Sequence, residues 1–222
     1  MVAFMKYSFS ETLMWFALAK PSLKYLSKNG INVSKKKAKE IYRLMTARTP
    51  EIGGLAENPL RICLSGGMVW LSIYEAANGM IEDTCFGEMV TTSMASPLII
   101  FSFKKKAKTA FTIEGQKKKA ASAEKTNPLS KDQPFHWNME VIYGRDADEY
   151  RINYHQCGLC ALGKQEGLSR LVPYMCALDI MSVEWMGGVL YRTKTLATGG
   201  DFCDFYICKK DSKWHKQRES EI

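Results

Sequence analysis

The stretch that decides the fold runs His136-Trp137-Asn138-Met139-Glu140-Val141-Ile142-Tyr143, then Gly144-Arg145-Asp146-Ala147-Asp148, then Tyr150-Arg151-Ile152-Asn153-Tyr154-His155. Trp137, Met139, Val141 and Tyr143 alternate with His136, Asn138 and Glu140. Tyr150, Ile152 and Tyr154 alternate with Arg151, Asn153 and His155. A period of two with one apolar and one polar side marks a half-buried strand. The cluster between the two runs is turn chemistry. The pair therefore predicts an antiparallel β-hairpin after Pro134, with His136 and His155 on its wet face.

Working outward, Leu168 to Met186 reads as one helix, stopped by Gly187-Gly188. Val189, Tyr191, Thr193 and Thr195 then share one face of a strand, with Arg192 and Lys194 on the other. Gly199-Gly200 turns the chain, and Cys203, Phe205 and Ile207 alternate with Asp204 and Tyr206. Upstream, helices are expected over Ser8 to Leu26 (with Pro21 as a break or kink), Ser34 to Arg48, Pro59 to Asn78, Phe86 to Ser96, and Lys104 to Lys125. These readings give an α+β fold. An N-terminal helical layer packs on a C-terminal β-β-α-β-β four-stranded antiparallel sheet, on the face lined by Trp137, Ile152, Tyr191 and Phe205. One domain is expected over 1–222: a helical part (1–133), the sheet with its crossing helix (134–210) and a charged tail (211–222).

The 222 residues are 46% hydrophobic and 24% charged, ordinary globular usage that excludes disorder and a small disulfide scaffold. The net charge of +8 points to an anionic partner or substrate without choosing one. Lys35–Lys37, Lys104–Lys106 and Lys117–Lys119 lack the arginine and aromatic interleaving of a nucleic-acid footprint and read as solvated helix faces. No apolar run reaches the roughly 20 residues of a bilayer span, and Glu11 interrupts any export-signal core. The expectation is a cytoplasmic protein with a small-molecule substrate, no nucleic-acid or membrane partner, and room for homo-oligomerisation. Seven cysteines without an export signal are then reduced thiols.

Cys157-Gly158-Leu159-Cys160 is a C-x2-C at a strand end. Without a second close pair it does not specify zinc, and core packing, a site contribution and redox chemistry all stay open. Cys176 and Asp179, three apart on the expected helix, share one stripe with Val172 and Val183. A carboxylate on a largely apolar stripe is costly unless paired or working. Strand alternation adds Thr195 and Cys203 on the core side. Cys176, Asp179, Thr195 and Cys203 are thus expected to line one pocket, whose apolar surround should raise the Asp179 pKa unless a cation or N–H donors lie close.

From about Phe135 to Ile207 the chain resembles the L-2-amino-thiazoline-4-carboxylic acid hydrolase family. The residues that carry this are Cys157, the run Pro173-Tyr174-Met175-Cys176-Ala177-Leu178-Asp179, Arg192-Thr193-Lys194-Thr195-Leu196-Ala197, and Gly199-Gly200-Asp201-Phe202-Cys203-Asp204-Phe205. The resemblance implies a hydrolase that opens a 2-aminothiazoline-4-carboxylate ring to an N-carbamoyl amino acid with a free thiol. It would use Cys176, Asp179 and Cys203 catalytically, with Thr195, Arg192, Cys157 and Cys160 around the substrate. The β-β-α-β-β half also looks like vinyl-reductase-type ligand-binding domains, which implies the alternative of a non-catalytic small-molecule or metal-binding sensor. Sensors of that group hold zinc with a helix Cys, a Glu and two strand Cys. Cys176 and Cys203 match two of these positions, while Arg192 and Thr195 stand at the other two. No cofactor or metal is assigned, with zinc the one candidate.

Overall fold

The computed structural model describes residues 3–221; residues 1, 2 and 222 of the expected domain lie outside it. The chain forms two compact units. The first comprises 1–99 and 158–176, and the second comprises 100–157 and 177–222. The fold class is α+β: helices dominate the N-terminal part, and four antiparallel strands lie in the C-terminal part.

The first unit is helical. Helix α1 (Phe9–Lys28) packs against α3 (Arg61–Ala76) and α4 (Asp83–Met94), and α2 (Lys35–Arg48) packs against α3. The Ser34 hydroxyl caps α2 by accepting from the Lys37 N–H at 3.3 Å, as the sequence predicts. Pro21 does not break α1, which runs through it. Trp15, Leu18 and Leu26 on either side of Pro21 are buried, and that burial outweighs the missing N–H.

The second unit starts within α5 (Pro97–Ala110) and continues with α6 (Ile113–Thr126). The single basic helix expected over Lys104 to Lys125 is therefore corrected to two. Phe111 leaves the helix to pack on Tyr150, with ring centroids 6.2 Å apart. Thr112 then starts α6 afresh, its hydroxyl accepting from the Gly115 N–H at 2.9 Å.

The hairpin forms as read: β1 (Asn138–Tyr143) pairs with β2 (Glu149–Gln156). His136 is an exception, being buried just ahead of β1 instead of on the polar face. After β2 the chain supplies α7 (Gly158–Gln165) and α8 (Val172–Cys176) to the first unit, where they pack on α3 and α4. Gly67 and Gly87 permit this. A Cβ on Gly67 would lie 2.4 Å from Leu159, and one on Gly87 would lie 2.4 Å from Tyr174.

The helix expected over Leu168 to Met186 is likewise corrected. A 3-10 turn at Ser169–Leu171 leads into α8, which carries Pro173 in its first turn where proline is tolerated. A separate helix, α9 (Leu178–Trp185), follows Ala177 in the second unit. Cys176 and Asp179 thus do not share one continuous helical stripe.

Strands β3 (Gly188–Tyr191) and β4 (Cys203–Lys209) complete the sheet in the order β1-β2-β4-β3. Register sorts the faces. Ile152 lies opposite Phe205, Tyr154 opposite Cys203, and Tyr150 and Leu190 both flank Ile207. These form the inner face, against which α6 and α9 pack. Tyr191 lies opposite Tyr206 on the other face, so the expected phase of β3 is off by one residue. Val189, Leu190 and Tyr191 are all good strand formers, and the apolar pattern alone could not fix the phase. The strand also stops at Tyr191, short of Thr195. The N–H groups of Thr193 and Lys194 donate to the Asp204 carboxylate at 3.0 and 2.8 Å instead of to a neighbouring strand. The expected charged tail is also structured. Ser212 caps α10 (Lys213–Ser220), which packs on β4 and buries His215.

Candidate functional site

Asp179 opens α9, where a carboxylate in the first turn complements the helix dipole. Arg192 follows β3, the strand against which α9 packs. Because of the one-residue phase shift, Arg192 faces Asp179 and not solvent, correcting the outward placement read from alternation. Arg192 Nη1 donates to Asp179 Oδ2 at 3.0 Å. The Arg192 side chain is 14% exposed and that of Asp179 is 42% exposed. The guanidinium also lies 5.2 Å from the centre of the Phe205 ring, a cation–π contact that anchors it.

Two opposing influences act on Asp179. Desolvation pushes its carboxyl up to about 6, and the charge and hydrogen bond of Arg192 pull against that push without cancelling it. Both conditions posed from the sequence, the apolar surround and the nearby cation, are therefore present, and the surround prevails. With 42% of the side chain still open, the carboxyl is half-buried and reachable.

Cys203 starts β4 on the inner face and is buried. Burial raises its thiol pKa; the Leu196 N–H, donating to Sγ at 3.2 Å, and the Arg192 charge oppose this, while Cys157 and Asp179 add to it. Cys203 is thus a protonated thiol at neutral pH, within electrostatic range of Cys157, Asp179 and Arg192. Cys157 directly follows β2, whose Tyr154 pairs with Cys203. Thr195 is buried, and its hydroxyl accepts from the Thr198 N–H at 3.2 Å to cap the 3-10 turn at Leu196–Thr198.

The predicted site residues divide between the two units. Asp179, Arg192, Thr195, Cys203 and Cys157 belong to the sheet unit. Cys176, at the end of α8, and Cys160, within α7, belong to the helical unit, each half-buried. The C-x2-C does open a helix, which the hairpin reading had not anticipated. No disulfide joins any of the seven cysteines.

The donor set does not fit zinc. Among the described residues no group of three or more His, Cys, Asp or Glu side chains is placed to hold a metal ion. At the two remaining positions of the sensor pattern stand a guanidinium, which repels a cation, and a hydroxyl already used as a cap. Arg192 is the partner whose position the sequence did not give. The alternation that would have revealed it was present, but in the other phase.

No curated protein and no solved structure matches the chain. A family model described as L-2-amino-thiazoline-4-carboxylic acid hydrolase matches residues 64–207, which takes in most of α3, both hairpin strands and every residue of the Asp179 cluster. That span is well over half of the sequence, and the chain belongs to the L-2-amino-thiazoline-4-carboxylic acid hydrolase family.

Proposed function

We propose that the protein opens a 2-aminothiazoline-4-carboxylate-type ring by hydrolysis. The observation that carries the reading is the Asp179–Arg192 pair, whose carboxylate titrates near 6 and stays half-open beside a protonated thiol.

The reacting carbon C2 carries two nitrogens and one sulfur, and its protonated form is a planar cation with N–H groups. A half-buried carboxylate complements that cation and can take a proton from an attacking water. Water oxygen bonds to C2, the C2–S bond breaks, and the departing sulfur takes up the proton. The products are one urea-type carbonyl and one thiol, with no redox change. Asp179 serves as the base and as the acceptor for the ring N–H groups. Arg192 holds Asp179 in place and orients the substrate carboxylate. Cys203, kept protonated by its burial, serves as a relay and not as a thiolate nucleophile: it gives its proton to the departing sulfur and recovers the one that Asp179 took from water. Cys176 enters from the motif run as the alternative nucleophile for a covalent route.

The test follows ring absorbance and thiol release with purified protein and 2-aminothiazoline-4-carboxylate. Ring loss and thiol appearance should match one to one. Asp179→Asn should lower the rate by at least about 100-fold. Cys176→Ala separates the routes: a comparable loss supports covalent attack, and a small effect supports direct attack by water. No turnover of any aminothiazoline by wild-type protein would reject the proposal.

A further inference from the structure

On the sheet face that carries Tyr191 and Tyr206, a groove of about 90 Å³ is lined by Arg151, Arg192, Arg218, Asp204 and these two rings. The Arg151 and Arg218 guanidiniums stand over these rings with one carboxylate in the lining, while the Arg192 guanidinium is turned to Asp179 and the Phe205 ring. The Asp204 carboxylate is already engaged, accepting from the N–H groups of Thr193 and Lys194 at 3.0 and 2.8 Å. Arg192 is paired with Asp179. The other two cations are poorly compensated. Arg218 has an exposed ion pair with Glu221 at 3.2 Å, a contact of little strength in solvent. Its Nε is buried without an acceptor, which leaves a desolvated donor on a charged group. Arg151 has no ion pair among the described residues.

The geometry around these two is fixed. The Arg151 guanidinium lies 5.2 Å from the centre of the Tyr206 ring, and the Arg218 guanidinium lies 5.9 Å from the same centre. Arg218 also lies 5.7 Å from the Tyr191 ring. The Tyr206 hydroxyl donates to Glu149 at 2.6 Å, which locks the ring between the two cations. Two stacked, planar guanidiniums on a rigid aromatic platform are preorganised to bind oxygen atoms in pairs. The groove has room for several waters or one small oxyanion.

We propose that this groove is an oxyanion site, taking a carboxylate or phosphate group of a small molecule between Arg151 and Arg218. The site does not depend on the ring-opening reading, because occupancy is measured without turnover. It adjoins that chemistry through Arg192, which lines the groove and holds Asp179.

Inorganic phosphate and an N-carbamoyl amino acid are titrated separately into the whole chain by calorimetry at low salt. Saturable one-to-one binding of at least one of them is expected. Tighter phosphate identifies a phosphate ligand, and tighter N-carbamoyl amino acid identifies a carboxylate. Arg151→Met and Arg218→Met should each weaken binding at least about tenfold, the loss of one charge-assisted contact. Lys216→Met, an exposed α10 residue outside the groove, should leave binding unchanged. If a methionine variant fails to fold, Arg151→Lys and Arg218→Lys carry the test, since lysine keeps the charge but loses the fork and should still weaken binding several-fold. Failure of wild type to bind either probe, or equal binding by the arginine variants and wild type, overturns the proposal. So does an equal loss with Lys216→Met, which would indicate diffuse charge attraction.

Discussion

At the residue scale, the proposed chemistry turns on how one carboxylate is held. Cys203 was legible in the sequence because strand alternation puts it on the buried face, whereas Asp179 was picked out by a helical stripe that is interrupted at Ala177. Arg192 was named through the family resemblance, but its direction was not legible, because a run of three strand-forming residues leaves the phase of a short edge strand undetermined until pairing fixes it. This pairing has a measurable consequence. Burial lifts Asp179 to about 6 while Arg192 restrains it. A base must be ionised to act, so the rate should fall roughly tenfold per pH unit below about 6 and level off above it. Arg192→Met removes the restraining cation, and the acid limb should move to higher pH. A limb that stays in place would show that Asp179 is not the titrating base. Stability has the opposite sign. A carboxyl whose folded pKa is above its unfolded value of 3.8 contributes fully below 3.8, and that contribution is lost as pH rises through about 6.

At the scale of elements, helix starts marked by a capping side chain were legible, as at Ser34, whereas internal breaks were not. The break between α5 and α6 depends on Phe111 finding Tyr150, and that contact joins residues 39 positions apart. The same holds for the buried network that ties α1 to α3. Glu11 is fully buried and Arg61 nearly so, and they pair at 3.1 Å. Burial alone would raise the Glu11 pKa, but hydrogen bonds from Ser8, Ser65 and Arg61 and the Arg61 charge override it and hold it at about 2. Relative to the ordinary glutamate value of 4.5, that depression contributes about 3 kcal/mol at neutral pH. The contribution is present above 4.5 and lost as pH falls towards about 2. Glu11→Gln should therefore cost about 3 kcal/mol in urea denaturation at pH 7, in the range for breaking one partner of a buried pair. The gap to wild type should close as pH falls. A cost within about 0.5 kcal/mol at pH 7 would mean the pair is not a stabilising tie.

For the whole molecule, the chain passes between its two compact units at 99/100, 157/158 and 176/177. Composition is unremarkable at all three points, which is why the sequence read as a single domain with a helical part and a sheet part. What assigns 158–176 to the helical unit is contact with α3 and α4, residues nearly a hundred positions upstream. Gly67 and Gly87 create the space for Leu159 and Tyr174, and Leu162, Leu171 and Met175 are buried in this segment. A fragment ending at residue 99 lacks all five side chains and leaves the matching surfaces of α3 and α4 in water. Burying one large apolar side chain is worth about 1.5–3 kcal/mol, so their joint loss is comparable to the net stability of a small domain. Residues 1–99 alone should show weak helicity and a broad, non-cooperative urea transition by far-UV circular dichroism. Joining residues 158–176 to that fragment through a flexible Gly/Ser linker should restore a single cooperative transition. A fragment of 1–99 that unfolds as sharply as the linked form would show that α7 and α8 add no stability to that unit. The contacts through Gly67 and Gly87 would then be accommodations in a core that is complete without them.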